Sequence, residues 1–152
     1  MPVLENAYDA VVFDLLTALL NSWKLWNRVV GSEKAGFRWR HAYLNITYRC
    51  GAYKPYEHLI HDAARVAEIS SAKANELIAR WNELEPWDEV REIVGTLTKR
   101  TRVGVATNSS NALADIAVAK IGVPVSVVVT AESVGYYKPR PEPYRSFAVF
   151  CG

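Results

Sequence analysis

Residues 102–130 read RVGVATNSSNALADIAVAKIGVPVSVVVT, and this stretch decides the fold class. Its two ends, 102–107 and 123–130, are valine-rich apolar runs, which favour strands buried on both faces of a parallel sheet. Between them, serine and asparagine precede an alanine-rich helical pattern that we expect to end at Gly122. A strand, a helix and a strand in this order predict a crossover between parallel strands, and therefore an α/β fold.

The N-terminal part of the chain supplies one more strand. Residues 8–16, YDAVVFDLL, form a similar β-branched and aromatic run that contains two acids, Asp9 before the apolar residues 10–13 and Asp14 after them. We therefore expect parallel strands near residues 9–14, 102–107 and 125–130, in a Rossmann-like sheet.

Residues 20–99 have a different character, because they contain no convincing strand pattern. In one segment Ala74, Leu77, Ile78 and Trp81 recur at the spacing of an amphipathic helix. The predicted helices are 21–30, 34–49, 55–68, 71–84 and 87–99. A helical block of this length is too long for a crossover connection, so it predicts an inserted subdomain. The domain prediction is an α/β core at 1–19 and 89–152, with a helical cap at 20–88.

Composition and charge exclude several classes of protein. Half of the 152 residues are hydrophobic and 22% are charged, which is typical of a globular protein. The net charge of +2, without a run of basic residues, argues against nucleic-acid binding. The apolar stretches are too short for a membrane span, no signal peptide is evident, and the two cysteines are expected to be reduced. We therefore expect a cytoplasmic protein.

Three polar sites lie at or just past the carboxyl ends of the predicted strands, where the binding crevice of a parallel sheet forms. They are Asp14, the pair Thr107-Asn108 and Lys138 before Pro139. A carboxylate that follows four apolar strand residues needs partners or a function. Each site alone has a structural alternative: helix capping for the first two, and a solvated surface lysine for the third. Together they predict a site at which Asp14, Thr107, Asn108 and Lys138 converge.

Other polar and aromatic residues are better explained without a functional role. His58 and His61 lie three residues apart on a predicted helix without a further pair of metal ligands, so a solvated helix face is the better interpretation. Trp23 and Trp26 are interpreted as packing residues of the helical block before they are considered as a substrate box.

In this order and spacing the three sites resemble the haloacid dehalogenase-like superfamily. That family has an Asp after the first strand, a Ser or Thr, usually followed by Asn, after the second, then a Lys-Pro element, with a helical cap inserted after the first motif. The cap and the pattern KPxPxxY from Lys138 to Tyr144 look most like the L-2-haloacid dehalogenase branch. That branch also places a cap arginine near the substrate carboxylate, for which Arg40 is preferred to Arg38.

The resemblance implies a hydrolase with an aspartate nucleophile and a covalent ester intermediate, acting on a small organic acid such as a 2-haloacid. Asp14 and Lys138 would be the catalytic residues. Thr107, Asn108, Arg40 and Tyr144 would bind the substrate. No nucleic-acid or membrane partner is implied, and a homodimer is left open.

Three departures from the family pattern leave alternatives open. Phosphatases of the superfamily carry a second Asp where this chain has Leu16, and dehalogenases carry Gly and Thr where it has Thr17 and Ala18. Asp14 is the only evident ligand for Mg²⁺, so no cofactor is expected. The chain ends within the helix before the family's fourth strand, so we expect a truncated protein in which the strand of Asp14 is a sheet edge. The alternatives are an inactive binding module and a phosphatase.

Overall fold

The computed structural model describes residues 8–151 and shows a three-stranded parallel sheet flanked by helices. The strands are β1 (Ala10–Phe13), β2 (Arg102–Thr107) and β3 (Val127–Thr130), in the order β1-β2-β3. The predicted α/β class and the three predicted parallel strands are confirmed. Residues 1–7 and 152, which the domain prediction includes, lie outside the described part of the chain.

Eight α-helices accompany the sheet in the described residues. Between β1 and β2 lie α1 (Ser22–Val30), α2 (Glu33–Cys50), α3 (Tyr56–Val66), α4 (Ser71–Ala79) and α5 (Val90–Leu97). They are followed by α6 (Asn111–Ala119) between β2 and β3, and by α7 (Ala131–Val134) and α8 (Glu142–Cys151) after β3. We call residues 22–83, which hold α1 to α4, the helical block. No strand interrupts the helical block.

Local sequence signals explain where several helices begin. The side chains of Asn21, Ser32, Ser70 and Ser110 each accept a hydrogen bond from a backbone N–H in the first turn of the following helix. These bonds satisfy N–H groups that have no partner within the helix. Gly31 ends α1 in the left-handed conformation, at a φ of 71°, which glycine adopts without steric cost.

Several predicted elements are shorter in the structure, among them the helix predicted over 87–99, which is α5 at Val90–Leu97. The helix predicted over 71–84 ends at Ala79, and a 3-10 turn follows at Trp81–Glu83. Trp81 is buried, and its Nε1 donates to the carbonyl of Leu113 at 3.1 Å. Trp81 makes this contact from within the 3-10 turn, not from a continued α-helix. The third strand, predicted near residues 125–130, begins at Val127.

The chain leaves the sheet and returns to it along one short seam. Asn21 N donates to the carbonyl of Glu85 at 2.8 Å, and Trp87 N donates to the carbonyl of Leu19 at 3.2 Å. These bonds flank an antiparallel bridge between Leu20 and Pro86. The two connections between the sheet and the helical block are therefore hydrogen-bonded to each other next to the end of β1.

The strand β1 is an edge of the sheet formed by the described residues. It pairs with β2 alone, from Ala10 opposite Arg102 to Phe13 opposite Val105. None of its four residues is fully buried. No helix within residues 8–151 combines the length and the apolarity that are needed to cross a membrane.

Candidate active site

The carboxylate of Asp14 lies directly after β1 and is held on both oxygens. Oδ1 accepts from Lys138 Nζ at 2.9 Å. Oδ2 accepts from Thr17 N at 3.1 Å and from Thr17 Oγ1 at 2.9 Å. The turn after β1 thus folds back onto the carboxylate and fixes its orientation.

Lys138 approaches Asp14 from the loop between α7 and α8. Its Nζ also donates to the carbonyl of Ala106 at 2.6 Å, near the end of β2. The Lys138 side chain keeps 13% of its exposure, whereas Asp14 keeps 37%. The ion pair therefore has a largely buried cation, and its carboxylate faces an opening.

The environment of Asp14 favours the ionised form. Burial raises the pKa of its carboxyl group, but the charge of Lys138 and the hydrogen bonds from Lys138 and Thr17 outweigh burial. As a result the pKa of Asp14 lies below its usual value. A carboxylate that is ionised, oriented and partly accessible can act as a nucleophile.

Asn108 anchors the backbone of Lys138. Its Oδ1 accepts from Lys138 N at 2.7 Å, and its Nδ2 donates to the Lys138 carbonyl at 3.1 Å. On the other side, Tyr137 N donates to the carbonyl of Gly51, and Tyr137 Oη donates to the carbonyl of Lys54 at 2.6 Å. The segment between α2 and α3 therefore helps to place the lysine.

Asp14 faces a cavity of about 510 Å³ between the end of the sheet and the helical block. The block contributes mainly aromatic side chains to its wall. The lining includes Trp23, Trp26, Tyr43, Tyr48 and Tyr56, together with Leu16, Pro139 and Tyr144. Its charged lining groups are Asp14, Arg40 and Lys138, two cations against one carboxylate, so the lining carries a formal charge of +1. This cavity suits a small organic monoanion.

Arg40 reaches the cavity from α2 and is held against the helical block. Its guanidinium lies 4.1 Å from the centre of the Trp23 ring, and Nη1 donates to the carbonyl of Trp23 and to the side chain of Asn27. Its Nε is buried and has no hydrogen-bond partner. Gly36 makes room for this arrangement, because a Cβ there would collide with the Asn27 side chain.

Of the remaining residues that the sequence predicted for the site, one lines the cavity and two do not. Tyr144 lines the cavity, whereas Arg38 lies in a separate groove with Phe37 and His41. Thr107 is buried, does not line the cavity, and its Oγ1 has no hydrogen-bond partner. The structure brings Asp14, Asn108 and Lys138 together as expected. The Thr107 hydroxyl makes no hydrogen bond to any of these three residues.

Sequence reasoning missed several residues of the site. Thr17, where the family pattern has Gly, donates its hydroxyl to Oδ2 of Asp14 at 2.9 Å. Trp23 and Trp26 line the cavity besides packing, so the interpretation as packing residues was incomplete. Tyr43 and Tyr56 also line it, and burial raises the pKa of both phenols. The aromatic content of the helical block was visible in the sequence, but not which rings face one cavity.

The residues around Asp14 do not fit a Mg²⁺ site. Both of its oxygens are already engaged by Lys138 and Thr17. Among residues 8–151 there is no group of three or more His, Cys, Asp or Glu side chains that could hold a metal ion. Mg²⁺ requires several oxygen ligands, so no step is assigned to it.

A parallel sheet with a lysine-paired aspartate at the end of its first strand defines an α/β protein with a candidate active site at the carboxyl edge of the sheet. The family model of the haloacid dehalogenase-like hydrolases matches residues 8–148, so the chain belongs to that family. A comparison with curated proteins gives no match.

Solved structures agree with this assignment at the level of the fold. The L-2-haloacid dehalogenase of Xanthobacter autotrophicus is 18% identical with a TM-score of 0.79, and the comparison covers 93% of this chain and 64% of that enzyme. The same enzyme with chloropropionic acid covalently bound is 17% identical with a TM-score of 0.79 and the same coverage. A defluorinating L-2-haloacid dehalogenase is 20% identical with a TM-score of 0.73, covering 92% of this chain and 67% of that one. The chain therefore spans 64% of the length of the Xanthobacter enzyme that it matches.

Proposed function

We propose that this protein attacks a small 2-haloacid with Asp14. In the first step a carboxylate oxygen of Asp14 forms a bond to C2 of the acid, and the carbon–halogen bond breaks. The halide leaves with the bonding electron pair, and an ester joins Asp14 to the organic acid.

The observation that carries this proposal is the contact of 2.9 Å between Lys138 Nζ and Asp14 Oδ1 at the wall of the cavity. The lysine keeps the carboxylate ionised. The two bonds from Thr17 hold Oδ2, so the carboxylate cannot rotate freely. Orientation of a nucleophile toward a bound substrate is a large source of rate acceleration.

The substrate carboxylate would bind Arg40. Arg40 lines the cavity, and the +1 charge of the cavity lining matches one carboxylate. The aromatic rings of the helical block would surround the alkyl part of the substrate and exclude water during the displacement. In this proposal residues 20–88 act as a cap over the core.

The second step is hydrolysis of the ester. The oxygen of a water molecule attacks Cγ of Asp14, and the bond between Cγ and the substrate oxygen breaks. A 2-hydroxy acid is released, one proton goes to solvent, and the carboxylate of Asp14 is restored. Among the described residues that line the cavity, Asp14 is the sole acid and no histidine is present. We therefore expect this step to be slower than the first.

Phosphomonoester hydrolysis is less well supported. That reaction uses an acid to protonate the leaving group, and the position two residues after Asp14 carries Leu16, which lines the cavity and cannot transfer a proton.

The test is incubation of the protein with 2-chloropropionate, without added metal. We expect a burst of chloride close to one equivalent and a covalent adduct on the peptide that contains Asp14, detected by mass spectrometry. Asp14→Asn should abolish both signals, because an amide is a far weaker nucleophile than a carboxylate. Asp115→Asn, an exposed acid on α6, is the matched control and should change neither. An adduct that persists in the Asp14→Asn variant would refute the proposal.

A further inference from the structure

The indole of Trp87 contacts the turn that holds Asp14. Its Nε1 donates to the carbonyl of Thr17 at 3.0 Å. Thr17 in turn contributes two of the hydrogen bonds to Oδ2 of Asp14, one from its backbone and one from its side chain. A continuous chain of hydrogen bonds therefore runs from Trp87 through Thr17 to the carboxylate.

The Thr17 side chain is not itself held by packing, although the turn is anchored on either side by the buried Leu15 and Leu19. The residue is exposed, and so is its neighbour Ala18. Backbone that lacks buried contacts is free to move unless hydrogen bonds restrain it. The bond from Trp87 restrains the Thr17 carbonyl, so it restrains the peptide group on one side of the two donors that face Asp14.

Trp87 itself is firmly attached at its backbone. Its N–H donates to the carbonyl of Leu19 at 3.2 Å, and its carbonyl accepts from Val90 N at 3.1 Å, at the start of α5. It follows the bridge between Leu20 and Pro86, where the chain returns from the helical block. The indole therefore connects this seam to the turn after β1 that holds Asp14.

We propose that Trp87 is a positioning residue, which acts through Thr17 to hold the Asp14 carboxylate in its ionised, oriented state. The indole does not line the cavity, and its Nε1 donates to Thr17 rather than to Asp14. Because Trp87 lies where the chain returns from the helical block, the geometry of that connection affects the orientation of the Asp14 carboxylate. The effect on turnover rests on the proposed function, whereas the effect on the ionisation of Asp14 does not.

The experiment replaces Trp87 by Phe, which keeps a ring and removes the donor. The titration of Asp14 is followed by carboxyl carbon NMR, and halide release in a single turnover is measured with 2-chloropropionate. We expect the pKa of Asp14 to rise, because looser donors stabilise the carboxylate less. The rate constant of the first turnover should fall by about 2- to 12-fold, the effect of losing one hydrogen bond, without a change in substrate affinity.

Trp81→Phe is the matched control. It also removes a bond from an indole N–H to a backbone carbonyl, that of Leu113, but far from Asp14 in the bonding network. We expect it to lower the stability of the fold without changing the pKa of Asp14. If both variants raise the pKa of Asp14 equally, Trp87 is merely structural and the inference fails.

A double-mutant cycle tests whether Trp87 acts through Thr17. Thr17→Val removes the side-chain donor to Asp14, and the effects of the two substitutions on the pKa of Asp14 should not be additive. Additive effects would refute the route through Thr17. If the wild-type protein releases no halide, the proposed function fails, and the titration of Asp14 still decides the role of Trp87.

Discussion

The ion pair between Lys138 and Asp14 allows a quantitative prediction. Two unit charges 2.9 Å apart interact by about 6 kcal/mol at an effective dielectric constant of about 20. Solvent screens much of this value, since exposed pairs contribute up to about 1 kcal/mol and breaking a buried pair costs about 3–5 kcal/mol; with Asp14 37% and Lys138 13% exposed, this pair lies between them, at about 2 kcal/mol. Lys138→Met should therefore lower the free energy of unfolding at pH 7 by about 2 kcal/mol, because it leaves a half-buried carboxylate without its cation.

The pH dependence of this loss follows from the sign of the pKa change. The pKa of Asp14 is lowered in the folded protein, so its contribution to stability is present above the usual carboxyl pKa of 3.8 and is lost as the pH falls through the folded value. In Lys138→Met, burial acts without the opposing lysine, and the pKa of Asp14 should rise above that of the wild type. The stability difference between the two proteins should be largest near neutral pH and shrink below about pH 4.

Urea unfolding between pH 3 and pH 7 measures this difference, and carboxyl carbon NMR follows Asp14 directly. Lys24→Met is the matched control, because Lys24 and Glu85 form an ion pair of 2.6 Å in which both side chains are about half exposed. We expect the control to cost less than about 1 kcal/mol and to leave the pKa of Asp14 unchanged. Equal losses in the two variants, or a Lys138 variant as stable as the wild type at pH 7, would contradict the calculation.

Two further predictions concern the support of the site. Thr17→Val should raise the pKa of Asp14 and slow the single turnover several-fold, about as expected for the loss of one hydrogen bond. Thr17→Ser keeps the hydroxyl, so its pKa of Asp14 and its turnover rate should equal those of the wild type. Gly36→Ala should displace the Asn27 side chain from Arg40 and weaken binding of a 2-haloacid while the rate constant at saturation is little changed. Loss of rate without loss of affinity in Gly36→Ala would mean that Arg40 does not bind the substrate.

The fold could be predicted from the sequence because its signals are local. Continuous valine-rich runs indicated buried parallel strands, and capping residues such as Ser110 marked where helices begin. Polar residues at strand ends were expected to meet, since the carboxyl ends of parallel strands share one edge of a sheet. Asp14, Asn108 and Lys138 do meet there, although α7 separates Lys138 from the end of β3.

Other features of the site depend on contacts that no local pattern encodes. The turn after β1 presents the hydroxyl of Thr17 to Asp14, and the bond from Trp87, 70 residues later, joins the same turn. The side chain of Thr107 is buried and does not line the cavity, although its sequence position matches the family motif. Residue types and their order along the chain determined which elements and which charged groups are present. Only the tertiary structure decided which hydroxyls and rings face the carboxylate, because that depends on packing between segments far apart in the sequence.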